Sequence, residues 1–423
     1  MTSSRLYYGW VVVSVLGLFS ALSVALAGPN LAIFIKPMQE ELGWSATVFG
    51  WAQFARLAVV VVAGPLIGGL LDRQGPRFII AFAAAVAGGT VMALAFVTEE
   101  WHLIALFVVT GLVGMGRASD LYVSPSVSKW FVERRGAAMS RAMMGIPVGI
   151  IIFYPGSQLL IDAVGWRTAW LIFGAGGALI LVPAALWLLR RQPEDMGLLP
   201  DGRSASPGAA ARGGVSRPEH SWTRAEALRN RTFWMMIGGF GVYTFAWSTL
   251  TIFRVPHYVE RGMGPLLVTL AIATDAVVAV GVSIVLGRVL DRFPARLMMV
   301  VSAAGLIVSA AAAIVVTNAA WMFVSTIGFG FGVQVGAIAQ NVTWADYFGR
   351  RSQGAIRGVT LPLTMAFGAV AFPLTGFIRD ATGAYTPAWF IAIAAIVVAA
   401  AALAAIRPPT RDARPREGAR VSE

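Results

Sequence analysis

Four ionisable residues lie deep inside apolar stretches of this 423-residue chain: Arg56, Arg117, Asp120 and Asp275. An unpaired charge in hydrocarbon costs at least about 2.5–3.5 kcal/mol, so such residues must be paired or carry function. The two guanidinium groups and two carboxylates sum to zero. If Asp275 or Asp120 takes up a proton, the set gains one positive charge and an affinity for an anion. A guanidinium suits a carboxylate ligand better than an ammonium does, because its planar fork donates two parallel hydrogen bonds. Arg56 and Arg117 are therefore candidates for substrate binding, and Asp275 and Asp120 for proton coupling. The plainer alternative is structural pairing: Arg117 with Asp120, three positions on along one helix face, and Arg56 with an acceptor on a neighbouring helix.

Other polar residues inside apolar runs extend the candidate cavity. Asn30 follows Gly28-Pro29, where an interrupted helix frees backbone groups. Tyr154 beside Pro155 offers an amphipathic hydroxyl, and Gln334 and Asn341 lie on a later run. Interhelical hydrogen bonding is the structural alternative for each. The Gly328/Gly330/Gly332/Gly336 cluster is expected to serve close helix packing. Arg254, His257, Glu260 and Arg261 gather at the end of one run. A solvated helix end is the favoured expectation there, with an external anion vestibule as the alternative.

Composition says what must hold these residues. The chain is 57% hydrophobic and only 13% charged, with a mean hydropathy of +0.72, whereas soluble domains are about a quarter charged. Apolar runs recur that exceed the roughly 20 residues needed to span hydrocarbon. Twelve spans are expected, at about 8–35, 46–71, 78–97, 103–130, 136–163 and 168–189, then 232–258, 266–290, 297–316, 321–347, 358–378 and 387–406. Basic residues concentrate on one side of them: Arg5, Arg73, Arg77, Arg134, Arg135, the 190–231 segment, Arg292, Arg296, Arg350, Arg351 and the 407–420 tail. By the positive-inside rule both termini are expected in the cytoplasm. The net charge of +12 belongs to those loops, so no nucleic-acid partner is expected.

The chain is also duplicated. The stretch from Gly68 to Arg77, containing Asp72-Arg73, returns half a chain later from Gly287 to Arg296, containing Asp291-Arg292. Asp162-Ala163-Val164-Gly165 with Ala169-Trp170 returns as Asp380-Ala381-Thr382-Gly383 with Ala388-Trp389. The repeat is six spans long with one orientation, which points to a membrane transporter of two related halves. The expected organisation is a six-helix bundle over 1–190, a cytoplasmic linker over 191–230, a second bundle over 231–406 and a cytoplasmic tail over 407–423. Asp72, Arg73, Arg77, Asp291 and Arg292 sit where membrane meets cytoplasm, where a carboxylate can meet a helix N-terminus and a neighbouring guanidinium.

An enzyme is not expected. There is no cysteine; the only lysines, Lys36 and Lys129, precede Pro37 and Trp130, which excludes a Gly-Lys-Ser/Thr nucleotide loop; three scattered histidines give no metal-binding pair. No cofactor and no metal are implied. A membrane sensor with the same topology is the distant alternative.

The Gly-x-x-x-Asp-Arg-x-Gly-x-Arg loop at 68–77 resembles the signature of the major facilitator superfamily, with 287–296 as its weaker second copy. Tyr7-Tyr8-Gly9-Trp10, Glu41-Leu42-Gly43-Trp44-Ser45, Arg134-Arg135-Gly136-Ala137-Ala138 and Pro193-Glu194-Asp195-Met196-Gly197-Leu198 are similar to the monocarboxylate porter and oxalate/formate antiporter branch. The resemblance implies an all-α membrane protein, twelve transmembrane helices in two pseudo-symmetric six-helix bundles, in a plasma membrane (a bacterial inner membrane). It implies alternating access for a small organic carboxylate, with a proton in symport or a counter-anion in exchange, by a monomer in the lipid bilayer. It also implies conformational gating by Asp72, Arg73, Arg77, Asp291 and Arg292, whose contact locks one conformation of the two halves. Another anion, or efflux of a neutral toxic compound, is the alternative. One departure stands out. Relatives place an arginine one turn after the span 8 aspartate, whereas Ala279 follows Asp275 here; the span 11 lysine of oxalate exchangers is also missing.

Overall fold

In lipid every backbone N–H and C=O must find its partner within the protein, so long apolar runs become helices. The computed structural model describes residues 7–26, 28–114, 122–131, 134–202, 222, 224–290, 292–348 and 353–406. Arg117, Asp120 and Asp291 lie outside the described residues, as does the Asp72 side chain. The helices of the first half are α1 (Tyr8–Ala25), α2 (Gly28–Leu42), α3 (Ala46–Gln74), α4 (Pro76–Ala93), α5 (Glu100–Leu112), α6 (Ser124–Trp130), α7 (Arg135–Met143) and α8 (Gly145–Leu188). After a short α9 (Arg224–Arg229) come α10 (Arg231–Glu260), α11 (Pro265–Leu290), α12 (Ala295–Ile314), α13 (Ala319–Phe348), α14 (Gln353–Thr382) and α15 (Thr386–Ala405).

Ten helical stretches among the described residues are long and apolar enough to cross a bilayer. One of them makes two crossings, because α8 turns back at Gly165, whose φ of 79° is open to glycine without strain. The loop expected at 164–167 thus contracts to one residue. Gly383, its mate in the repeat, takes φ 75° at the corner between α14 and α15. The shorter apolar helix α5 stands where the fourth span is expected and runs toward the undescribed residues 115–121. The expected twelve-span arrangement fits these elements.

α1 packs on α8, α4 on α8 and α3 on α5, while α10, α12, α13, α14 and α15 pack among themselves. Among the described residues the halves are joined chiefly by α3 with α14, α8 with α11, and α2 with α10. Small residues make these approaches possible. A Cβ on Gly88 would lie 2.7 Å from the Gly174 carbonyl oxygen, and one on Gly328 would lie 2.9 Å from that of Gly305. Helices in lipid associate by such close packing rather than by a hydrophobic drive. Large apolar side chains accordingly point outward, including Val62, Leu66, Leu179 and Ile284, all more than two-thirds exposed.

The molecule has two ends. The near face carries the start of α1, the α3–α4 corner and the end of α15. The far face carries the α2–α3, α10–α11 and α14–α15 corners. At the near face the first part of the 191–230 segment folds onto the first half. The Tyr7 hydroxyl donates to the carbonyls of Trp130 (3.0 Å) and Leu199 (3.3 Å), and the Arg134 amide donates to Asp201 (3.1 Å).

Candidate functional site

Asp275 lies ten residues into α11, about 15 Å from its far-face end at 1.5 Å per residue. It is not alone. Arg254 of α10 donates from Nη2 to Asp275 Oδ2 at 2.5 Å, and the guanidinium is 1% exposed. The sequence suggests a solvated helix end for Arg254 and His257. Both are buried instead, because α10 packs on α14, α15 and α11. The His257 ring bonds the Ala313 carbonyl of α12 at 2.8 Å and sits edge-on to Tyr385 and Trp389. Neither the solvated end nor the external vestibule describes these two residues.

The pair is held from three sides. Arg254 Nε donates to the Leu250 carbonyl at 3.0 Å, which fixes the side chain along its own helix. Its guanidinium carbon lies 3.7 Å from the centre of the Phe329 ring, a desolvated cation–π contact. Behind Asp275, α13 comes within backbone contact: a Cβ on Gly330 would lie 2.7 Å from Asp275 Cα. Beside it, the Tyr258 hydroxyl donates to Ser325 at 2.6 Å, and Ser325 donates to the Ser309 carbonyl at 2.7 Å. Thr274 and Thr326 hydroxyls meet at 3.0 Å. Two polar atoms of the pair remain: Arg254 Nη1 and Asp275 Oδ1 are buried with no hydrogen-bond partner among the described residues. Buried polar atoms are seldom left so, and each such group asks for a ligand, a water or a change of state.

Tyr154 brings the other half to this place. It is buried on α8, which packs against α11, the helix that carries Asp275. The site thus combines α10, α11 and α13 of the second half with α8 of the first.

The duplication orders the rest. Arg56 precedes Asp275 by the same spacing that separates Asp72 from Asp291. The halves therefore put a cation and an anion at one and the same place in the repeat. Their supports correspond too. Gly111, which matches Gly330 at that spacing, packs so that a Cβ would lie 2.6 Å from the Arg56 carbonyl oxygen. Arg56 is buried on α3 and donates from Nε to Gln53 Oε1 at 2.9 Å.

The remaining candidates are spread more widely. Asn30 is buried at the start of α2 and accepts from Ser157 of α8 at 2.9 Å, which ties two helices of the first half. Gln334 donates to Ser283 at 2.7 Å between α13 and α11, and Asn341 is exposed near the end of α13. Of the gating candidates, Arg73 and Arg292 are exposed at the near face, and Arg77 is half-buried, 5.2 Å from the centre of the Phe78 ring. No group of residues fit to hold a metal ion occurs among the described residues.

Two further ion pairs brace the far face. Glu41 accepts from the Trp166 indole at 2.6 Å and from Arg167 at 3.0 Å. Glu260, its mate in the repeat, accepts from Arg379, whose Nη2 approaches to 3.0 Å. Tyr385 lies beneath that pair, 5.7 Å from the Arg379 guanidinium. Burial, then the Glu260 charge, pushes its hydroxyl far above the ordinary tyrosine range, so it stays protonated.

Two six-span halves, repeated in one orientation around buried charges at their junction, define a polytopic α-helical carrier rather than an enzyme or a soluble binding module. The family model "Major Facilitator Superfamily" matches residues 13–373, and the chain belongs to that superfamily. Among similar proteins, monocarboxylate transporter 11 of Homo sapiens is 27% identical over 402 residues, covering 91% of this chain and 80% of the relative. Monocarboxylate transporter 1 of Homo sapiens is 28% identical over 169 residues, covering 40% of this chain and 33% of the relative. Solved structures show the same fold. The nucleoside transporter NupG has a TM-score of 0.72 at 14% identity, covering 93% of this chain and 98% of the other. A bacterial homologue of the human lysosomal transporter Spinster, in an inward-facing, unoccupied conformation, has 0.71 at 17%, covering 95% and 97%. The chain is a multi-pass membrane transporter of this superfamily, and not an enzyme.

Proposed function

We propose that this protein carries a small organic anion, a monocarboxylate, across the membrane by alternating access, with the Arg254–Asp275 pair as the coupling site. The observation that carries the reading is the buried pair itself, with Arg254 Nη1 and Asp275 Oδ1 unbonded among the described residues. With Asp275 ionised, Arg254 is neutralised internally and has no net charge to offer. A proton on Asp275 frees the guanidinium, and a carboxylate then replaces the lost counter-charge. Proton and anion bind together or not at all, which is symport; with a second anion displacing the first, it is exchange. Removal of one partner from a buried pair costs about 3–5 kcal/mol, so the half-loaded states are disfavoured. Arg56 at the matching repeat position, with Arg117 and Asp120, supplies further charge, and Tyr154 a hydroxyl from the opposite half. Asn30, Gln334 and Asn341 are assigned the polar remainder of the path.

The relatives named monocarboxylate transporters support the substrate class. Ala279 stands where the family resemblance expects an arginine one turn after the span 8 aspartate, and Arg254 of α10 restores the guanidinium in space. The bundles over 1–190 and 231–406 rock about this site, joined by 191–230, with Asp72, Arg73, Arg77, Asp291 and Arg292 gating the near face. That face is assigned to the cytoplasm of a bacterial inner membrane, with the monomer as working unit.

Proteoliposome uptake of labelled lactate, pyruvate and acetate under an imposed proton gradient tests this. Accumulation should rise as the external pH falls. Asp275→Asn should abolish gradient-driven accumulation while leaving part of the counterflow exchange. Uptake by that variant with an unchanged pH dependence would remove Asp275 from the mechanism, and absence of accumulation for every carboxylate would turn the reading to a neutral or efflux substrate.

A further inference from the structure

At the far face the two halves are clasped by one side chain. Asp380, at the end of α14, accepts the Ala46 amide on Oδ1 at 2.9 Å and the Thr47 amide on Oδ2 at 2.8 Å; the Thr47 hydroxyl donates to the same Oδ2 at 2.5 Å. Ala46 and Thr47 open α3 in the other half. The N-cap residue of α3, Ser45, has the usual extended backbone but makes no side-chain capping bond. The first-turn amides of a helix need an acceptor, and the chain's own cap does not supply one. A carboxylate from the opposite half supplies it, with the helix dipole adding to the bond.

The packing beneath is built for this contact. A Cβ on Gly376, one turn before Asp380, would lie 2.6 Å from the Ala46 carbonyl oxygen and 2.7 Å from Thr47 Cα. A Cβ on Gly50 would lie 2.5 Å from the Phe372 carbonyl oxygen. The two helices therefore touch backbone to backbone for about two turns beneath the clasp.

The repeat has a second copy of the carboxylate but not of its receiver. Asp162 is the mate of Asp380 in the repeated Asp-Ala-x-Gly phrase, at the end of the first crossing of α8, and α8 packs on α11 as α14 packs on α3. The residues matching Ala46 and Thr47 are Pro265 and Leu266. Proline has no amide hydrogen and leucine no hydroxyl, so two of the three donors are missing. Asp162 instead accepts from Gln158 of its own helix at 2.7 Å.

Given alternating access, on which this rests, we propose that Asp380 is a gating residue of the transport cycle: it latches the far face shut on the α3–α14 side, while the α8–α11 side, without a latch, acts as the hinge. Opening that face requires the Asp380 carboxylate to exchange three protein donors for water. The contact is at the surface, so water competes and the latch is weak enough to release in each cycle.

The chain has no cysteine, which allows spin labels to be placed without background. Labels at Glu40→Cys and Thr317→Cys, both exposed at the far face, report its opening by pulsed electron paramagnetic resonance in substrate-free nanodiscs. Asp380→Asn should raise the open-to-closed ratio about fivefold, the equivalent of about 1 kcal/mol. Thr47→Val, which keeps both amides, should move it the same way by less, and Asp162→Asn should leave it unchanged. Distance distributions of Asp380→Asn and Thr47→Val that superimpose on the parent would overturn the latch. Equal opening by Asp162→Asn would overturn the hinge assignment. Neither readout uses a substrate, so an error in the ligand class would leave both intact.

Discussion

Arg254 and Asp275 are worth more as a pair than as two residues, and that makes a double-mutant cycle informative. Arg254→Leu leaves the carboxylate, and Asp275→Leu the guanidinium, buried and uncompensated, so thermal unfolding in detergent should show a loss of about 3–5 kcal/mol for each. The double variant removes both charges and fills the space, and should recover most of that loss, with carboxylate uptake abolished in all three. Strictly additive destabilisation would mean that the two do not interact as the 2.5 Å contact indicates. That Asp275 needs a partner or a function was legible in the sequence, because a charge ten residues into an apolar run must be paired or carry function. Arg254 was not, because it sits six residues before Glu260 in the company of His257 and Arg261, which resembles a solvated helix end. The duplication held the missing signal. Carried back to the first half at the spacing of the repeat, Arg254 falls on Ile35 and His257 on Met38, both fully buried. A polar residue at a core position of the sister half is a buried polar residue, and it needs a partner.

Elements place these residues through glycine. α13 reaches the back of Asp275 because Gly330 has no side chain, and α5 reaches Arg56 through Gly111. Gly330→Ala must push on backbone rather than on a flexible side chain. It should cost about 1–3 kcal/mol of stability by overpacking and raise the KM for uptake by shifting Asp275. Gly281 in α11 meets nothing within 4 Å, so Gly281→Ala should be neutral or stabilise by roughly 0.5–1 kcal/mol through helix propensity. Equal effects of the two substitutions on melting temperature and KM would show that close approach is not what Gly330 provides. Outside the first span, which runs on through α2 to Leu42, and the fourth, which enters undescribed residues, the expected spans matched the helices to within a few residues, because hydropathy and length alone determine a crossing. The Gly328/Gly330/Gly332/Gly336 cluster marked α13 for close packing, but which helix it meets, as where Gly328 meets Gly305, is set by residues far along the chain and leaves no local pattern. Arg117 and Asp120 lie outside the described residues, so the fourth span contributes only the Gly111 contact to the site as described.

At the scale of the whole molecule, charge and shape make one joint statement about orientation. The near face has the α3–α4 corner with Arg73 and Arg77, the docked 191–202 segment and Arg292; the far face has Glu40, Glu41, Glu99 and Glu100, with Arg167 and Arg379 engaged by Glu41 and Glu260. Basic residues close to span ends resist translocation, and the near-face loops carry more of them than the far-face loops. The near face should therefore be cytoplasmic. With the halves joined at the far face by Asp380 on the amides of α3, the proposed latch predicts that the path to the Arg254–Asp275 pair runs from the near side. Single cysteines at Gln74 and Glu99, both exposed, test the first statement. In intact cells a membrane-impermeant maleimide should label Glu99→Cys and spare Gln74→Cys until the membrane is opened. A cysteine at Ser283, exposed on α11 toward the near side of Asp275, tests the second. It should react from the near side in inverted vesicles and slow when a transported carboxylate is added. Reaction of Ser283→Cys from the far side alone would reverse the direction of access, and with it the role given to the far-face clasp.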